Sequence, residues 1–336
     1  MSTSCRIGLL QLADSAPVLV ACVLNIFSRH GLEIAPVVVP SWANIADGLV
    51  WNGFDGAVMF PPLAIMTALG QRGRALDLRP GLPLSRGGNM LVLRGQKAEQ
   101  ALWDAEPDKH TAFKNWQQAL GRRPRLGVVH LYSTHYLILT RFLSKNALNR
   151  DTETDIVIMP PARMIEALAA GEIDGFCAGP PWGADATLKN LAFAVAGSAS
   201  TMPGHLEKML VLKEQWKADN PNAEARLHAA LREAVALCNT PAQAPFITEL
   251  LSAPMQDGGL GLPTDALKAV LPGTTSTPDV MVFDTESQST EASFGWMLEG
   301  MQAEGWLTPA LLDTLKTLGW SDRHGAFHTP AERPAR

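Results

Sequence analysis

The sequence predicts an α/β protein of two similar lobes joined by two chain crossings, with a helical tail. Three observations carry this. Length is the first: 336 residues exceed one typical domain of about 100–200 residues and fall short of three. Composition is the second, with 46% apolar residues, 18% charged residues and a formal net charge of −5, the balance of a chain that buries a core. The third is an internal repeat. Arg6-Ile7-Gly8-Leu9-Leu10-Gln11-Leu12 aligns with Arg125-Leu126-Gly127-Val128-Val129-His130-Leu131 at an offset of 125 − 6 = 119. The same offset aligns Val37-Val38-Val39 with Ile156-Val157-Ile158, Asp55-Gly56 with Asp174-Gly175, and Pro61-Pro62 with Pro180-Pro181. One register held without a gap over three apolar runs marks two copies of one supersecondary unit.

Each copy justifies its elements in the same order. A short apolar run comes first and reads as a strand buried on both faces. Asp14-Ser15 before Pro17, and Ser133-Thr134 in the second copy, set cap residues ahead of apolar-periodic segments, which predicts helices over 16–29 and 135–147. A second β-branched run, a second helix and a third strand ending at Pro-Pro follow. That order implies parallel pairing with right-handed crossovers. The near-twin segments Met90-Leu91-Val92-Leu93-Arg94 and Met209-Leu210-Val211-Leu212-Lys213 are candidates for a pair of strands crossing between lobes. The expected division is 1–92 plus 210–336 for lobe one with its tail, and 93–209 for lobe two. Within the tail, 223–238, 294–304 and 309–318 are amphipathic, and the Pro/Arg/Ala-rich end from Thr329 is expected to lack a fixed fold. Ligand is expected in the cleft, outside the carboxyl ends of the strands.

Composition excludes several function classes. Basic residues number 28 against 33 acidic ones, so direct nucleic-acid binding is not expected. Cys5, Cys22, Cys177 and Cys238 form no C-x-x-C pair and no zinc-finger spacing with His. Free thiols, no metal and no cofactor are therefore expected. The longest apolar stretch, Ala16 to Leu24, is too short for a membrane span, and no basic, apolar leader precedes the first strand. A cytoplasmic protein is the expectation. No G-x-S-x-G, H-E-x-x-H or Walker pattern occurs, so no catalytic residue is assigned. The Arg122-Arg123-Pro124-Arg125 cluster reads as a solvated turn.

Four blocks carry a resemblance: Ser41-Trp42-Ala43-Asn44-Ile45, Ser133-Thr134-His135-Tyr136-Leu137, Ile173-Asp174-Gly175-Phe176-Cys177-Ala178-Gly179-Pro180-Pro181-Trp182, and Glu207-Lys208-Met209-Leu210. They resemble, in order, blocks of the NrtA/CmpA-type nitrate- and bicarbonate-binding solute-binding family, most closely its cytoplasmic NasS-type sensor branch. The resemblance runs from about Arg6 to Cys238. It implies a two-lobed periplasmic-binding-protein-like fold of type II, with an anion held in the cleft. By the same resemblance the ligand-binding residues are Trp42, His135 and Lys208, with Asn89 where the family carries Gln, and Pro161 and Gly179 shaping the pocket floor. Pro180 stands where the family usually carries Glu.

The chemistry of these residues is coherent on its own terms. Nitrate and nitrite are small, flat anions that only accept hydrogen bonds, so a site for them wants one cation, several N–H donors and little water. Lys208 supplies a charge. The helix start at Ser133-Thr134-His135 offers free backbone N–H groups and the positive end of the helix dipole. The equivalent terminus in lobe one carries Asp14, which would repel an anion. Lobe two is therefore expected to hold the ligand, with Trp42 and Asn89 of lobe one as the lid. At about −1.5 kcal/mol per heavy atom, a four-atom ligand is limited to roughly −6 kcal/mol, or tens of micromolar, unless strong charge-assisted contacts add to it.

Three functions follow. The first expectation is a cytoplasmic nitrate/nitrite sensor that controls a partner antiterminator of the NasT type, with ligand closure altering the surface the partner reads. The alternative is the substrate-binding receptor of an ABC importer for nitrate, nitrite or bicarbonate. A third is an enzyme resembling the thiamine-pyrimidine synthases, which use the same fold with pyridoxal phosphate and a cysteine-rich loop; no clustered cysteines appear here.

Overall fold

The computed structural model describes residues 2–273, 280–285 and 288–320. The sequence's expectation for Thr329 onward lies outside the described residues. Two twisted sheets organise the chain. The first has six strands in the order β11-β4-β10-β3-β1-β2, formed by β1 (Thr3–Leu9), β2 (Leu32–Val38), β3 (Gly56–Met59), β4 (Leu82–Arg86), β10 (Leu206–Leu212) and β11 (Val282–Phe283). The second has five in the order β7-β6-β8-β5-β9, formed by β5 (Met90–Arg94), β6 (Arg125–Val128), β7 (Asp155–Ile158), β8 (Gly175–Ala178) and β9 (Ala192–Gly197). The fold is the two-lobed α/β architecture expected from the repeat.

The repeat is visible in the strand registers. In the first sheet Ile7 pairs with Gly56, and in the second Leu126 pairs with Gly175. Both differences, 126 − 7 and 175 − 56, equal 119. The outer strand departs by one residue: Gly8 pairs with Val37 but Gly127 with Val157, a spacing of 157 − 37 = 120. The ungapped alignment of the sequences therefore hides one inserted residue between β6 and β7.

The near-twin segments are exchanged strands rather than partners of each other. β5 leaves the first copy and lies antiparallel beside β8, with Met90 opposite Ala178. β10 leaves the second copy and lies antiparallel beside β3, with Met209 opposite Met59. Here too 209 − 90 and 178 − 59 give 119, so the exchange itself obeys the repeat. Residues 87–89 and 198–205 make the crossings. The expected boundaries at 92/93 and 209/210 cut through β5 and β10, and Lys208 lies in the first sheet, not in lobe two.

Local chemistry accounts for the helix ends. Ser41 caps Trp42–Val50 by accepting from Asn44 N, and Ser133 caps Thr134–Lys145 by accepting from Tyr136 N, the usual way of satisfying an orphan first-turn donor. The helix expected over 16–29 breaks into Ala16–Val23 and Ile26–Arg29. Asn25 between them takes a left-handed backbone, φ 54°, which Asn tolerates better than most side chains. Pro61 opens the helix Pro61–Ala68, so that proline pair starts a helix as well as ending β3.

The lobes meet directly. Ala13 N donates to Pro180 O at 3.0 Å, and Trp182 Nε1 donates to Gln11 O at 3.2 Å. The tail packs on both lobes. Its helix Gln288–Ala303 brings Gly300 against Leu137, where an added methyl would stand 3.0 Å from Leu137 Cδ2. Just past that helix, Glu304 accepts a 2.9 Å hydrogen bond from Tyr136 OH and pairs with Arg150. Trp320 Nε1 donates to Leu78 O at 2.8 Å. No helix among the described residues is long and apolar enough to cross a membrane.

Candidate functional site

At the carboxyl ends of the strands, between the two sheets, lies a group of polar side chains with almost no exposure. Asp14, Ser85, Asn89, Thr134, His135, His205, Glu207 and Lys208 are each at most 2% exposed. Burying this many polar groups is costly unless they satisfy one another, and most of them do. Glu207 is the hub: its carboxylate accepts from Asn89 Nδ2 at 2.6 Å, from Thr134 Oγ1 at 2.9 Å and from Lys208 Nζ, and lies 2.9 Å from His205 Nε2. Asn89 is itself held by Ser198, whose Oγ accepts from Asn89 N and whose N donates to Asn89 O, each at 2.9 Å.

A bulge explains why two successive residues of one strand reach the same cluster. Side chains normally alternate across a strand, but β10 shifts register between Leu206 and Met209 against β4. Such an irregularity re-aims side chains, and here it brings Glu207 and Lys208 into mutual contact. Far from a surface charge pair, both are buried in a strand covered on both faces.

Lys208 also lies against two rings, 5.3 Å from the Trp42 ring centre and 5.5 Å from that of Phe60. The rings are 4.2 Å apart, and Phe60 meets the His135 ring edge-on at 5.7 Å. Asp14 sits across from Lys208: Oδ1 accepts from Ser85 Oγ, and Oδ2 is 3.5 Å from Lys208 Nζ without a hydrogen bond. So the residue expected to repel an anion is at the centre of the cluster.

Five buried polar side-chain atoms here have no hydrogen-bond partner: Asp14 Oδ2, Trp42 Nε1, Asn89 Oδ1, and both His135 ring nitrogens. His135 Nε2 lies 3.2 Å from Glu207 Oε1, close enough for charge attraction but out of line for a hydrogen bond. Three of these atoms surround Gly179. A methyl placed on its Cα would stand 3.3 Å from His135 Nε2, 3.5 Å from Asn89 Oδ1 and 3.7 Å from Asp14 Oδ2. The repeat shows what makes this place: 60 + 119 = 179, and the two copies carry Phe60 and Gly179 at equivalent strand ends. The aromatic side closes on Lys208, and the glycine side leaves polar atoms facing one point.

The charges settle unevenly. Burial raises the Glu207 carboxyl, but Lys208, His135 and the hydrogen bonds outweigh it and hold the group well below the usual carboxylate range. Asp14 goes the other way: burial and the Glu207 charge push it up, and Lys208 and Ser85 offset only part of this. Burial and Lys208 lower His135, against the pull of Glu207 and Asp14. Near neutrality Glu207 is thus a carboxylate in contact with Lys208, and His135 is neutral.

Of the residues expected from sequence, Trp42, Asn89, His135, Gly179 and Lys208 come together. Pro161, itself buried, opens a 3-10 turn after β7 whose other two residues are exposed, at the repeat position of Trp42, since 42 + 119 = 161. Lys208 approaches from the first sheet, so its expected place in lobe two is corrected. Sequence reasoning missed Ser85, Thr134, His205 and Glu207 as site residues. The signal for Glu207 was present: two adjacent charges inside Leu206-Glu207-Lys208-Met209-Leu210-Val211-Leu212 cannot both face solvent from a strand buried on both sides. Among the described residues, no group of three or more His, Cys, Asp or Glu side chains is placed to hold a metal ion.

Known proteins share this framework. The chain is 35% identical over 250 residues to the bicarbonate transport ATP-binding protein CmpC of Synechococcus elongatus, covering 74% of this chain and 37% of that protein. It thus spans little more than a third of that relative's length. The nitrate/nitrite binding protein NrtA of the same species is 28% identical over 275 residues, covering 80% of this chain and 61% of NrtA. In structure, the periplasmic nitrate-binding protein NrtA from Synechocystis PCC 6803 superposes with a TM-score of 0.81 at 20% identity, over 96% of this chain and 86% of that one. The sequence pattern of the NMT1-like family matches residues 1–252, three quarters of the 336 residues, and with the relatives described above it places the chain in the NMT1-like family, beside the NrtA/CmpA-type solute-binding proteins.

Proposed function

We propose that this protein binds one small inorganic oxyanion (nitrate, nitrite or bicarbonate) between its lobes, and that it binds without turning the ligand over. One observation carries the reading: beside a buried lysine, five buried polar atoms lack a hydrogen-bond partner, three of them around Gly179, in a chain whose relatives are named for nitrate and bicarbonate binding and transport. Buried unpartnered groups are rare and call for an explanation, and a ligand that hydrogen-bonds them supplies one. By analogy with those relatives, the role best supported is that of a substrate-binding component serving an ABC importer.

A second proposal rests on the resemblance of the sequence blocks to NasS-type proteins: a sensor whose closure is read by a partner protein, of which a NasT-type antiterminator in the cytoplasm is the case proposed. The test of binding is the thermal stabilisation of the full chain by sodium nitrate, nitrite and bicarbonate. At least one anion raises Tm, and Lys208→Met abolishes the rise; an unchanged rise in Lys208→Met refutes the assignment of the site. The sensor reading predicts that an antiterminator partner dissociates when anion is added. A complex indifferent to anion leaves the importer role.

A further inference from the structure

Asn89 Oδ1, and Asp14 Oδ2 whenever its carboxyl is ionised, present acceptors and not donors to the point above Gly179. We propose that these two residues make the cleft select an oxyanion that carries its own proton, so that bicarbonate is preferred over nitrate and nitrite. This rests on the anion-binding reading above and names the chemistry that decides within it.

The amide orientation of Asn89 is fixed. Its Nδ2 faces Glu207 Oε2 at 2.6 Å and His205 Nε2 at 3.3 Å, and the flipped amide would set an oxygen against a carboxylate. Oδ1 is therefore turned to the Gly179 side, where it has no donor. Asp14 Oδ2 faces the same point, its other oxygen being taken by Ser85. The third atom there, His135 Nε2, can donate. Nitrate and nitrite bring only acceptors, and no titration of the ligand relieves an oxygen placed against Asn89 Oδ1. Bicarbonate has the same planar size as nitrate and one O–H, which meets either acceptor while another of its oxygens accepts from His135 Nε2.

The proton balance separates the ligands further. Asp14 is faced by Ser85 from β4, by Glu207 and Lys208 from β10, and by His135 from the helix Thr134–Lys145. Lys208 is the one lysine or arginine among these, and its Nζ is shared with Glu207. An oxygen of nitrate beside Asp14 Oδ2 requires a proton between them. Nitrate thus binds with one proton taken from solvent onto the Asp14 carboxylate, with no other bond changed, whenever that carboxyl is ionised in the free protein. Bicarbonate supplies the shared proton itself and takes up fewer from solvent.

Calorimetric titration of the full chain with sodium bicarbonate, nitrate and nitrite, from about pH 6 to 9 in two buffers of different ionisation enthalpy, tests this. The expected result is bicarbonate binding at least about tenfold tighter than nitrate at about pH 8. The nitrate constant should fall towards tenfold per pH unit with net proton uptake, and bicarbonate should show a flatter profile. Asp14→Asn should remove the uptake and narrow the preference. Nitrate binding as tightly as bicarbonate with no proton uptake overturns the proposal while leaving the anion site standing. Failure of all three anions to bind the wild-type chain overturns both.

Discussion

Replacing Gly179 by alanine adds one methyl at the point where the cleft's unpartnered atoms converge. That methyl would lie 3.3–3.7 Å from His135 Nε2, Asn89 Oδ1 and Asp14 Oδ2. A ligand atom needs about 2.7–3.2 Å to each hydrogen-bond partner, so methyl and ligand claim the same space. Losing one charge-assisted and one neutral hydrogen bond costs about 2–4 kcal/mol, or about 30- to 700-fold in Kd. The folded protein should lose little, since only the His135 ring has to give, by a few tenths of an ångström. The three polar atoms are already buried, no contact of the methyl is closer than 3.3 Å, and a Gly→Ala change that the backbone accepts gains about 0.4–1 kcal/mol from the unfolded chain. Urea denaturation of Gly179→Ala should match wild type within about 1 kcal/mol, while calorimetry shows anion affinity collapsing. Wild-type affinity in a folded Gly179→Ala protein would refute the placement of the ligand.

Three other perturbations follow from the same geometry. Glu207→Ala leaves Lys208 buried beside Asp14 alone, and should cost about 3–5 kcal/mol in urea denaturation; replacing Glu207 and Lys208 together by Gln and Met should recover much of this, and a double variant as weak as the single one contradicts the ion-pair account. His130 is 8% exposed, and burial together with the Arg72 charge lowers it from 6.5 to about 4, with Nδ1 already accepting from Tyr132 N. The unfolded chain therefore takes a proton the folded one refuses: the stability is present in full above pH 6.5, declines as pH falls, and is gone below about 4. This interval is worth about 3 kcal/mol, and stability in His130→Gln should be correspondingly flatter with pH; an unchanged slope rules the residue out as its source. Glu304→Ala cuts the tail's hydrogen bond to Tyr136 and its pairing with Arg150, and stopped-flow release of anion should speed by about tenfold if this tie holds the lobes closed; an unaltered rate shows that it does not.

How much of this was legible in the sequence varies with the kind of interaction. The 119-residue repeat showed two lobes and the parallel strand–helix order of each copy, because buried parallel strands impose continuous apolar runs. It could not show the extra residue before β7, since a one-residue slip in a uniformly apolar run leaves the pattern unchanged. Nor could it show that β5 and β10 exchange sheets, which depends on pairing partners far apart in the chain. At the site, Trp42, His135 and Lys208 were legible through the resemblance. Glu207 was passed over because charge beside charge usually means surface, and only the bulge in β10 reverses that. Asp14 was read only as a charge at the lobe-one helix start that would repel an anion; its contacts with Ser85 and Lys208 come from β4 and β10, far away in the chain, and so were not legible.

A crystal structure of the protein grown with sodium bicarbonate, and a second grown with sodium nitrate, tests the central claim most directly. The claim predicts an anion at Gly179, within hydrogen-bond distance of His135 Nε2 and of Asn89 Oδ1 or Asp14 Oδ2, with both sheets contributing contacts. An anion bound elsewhere, with these atoms still buried and unpartnered, would contradict it.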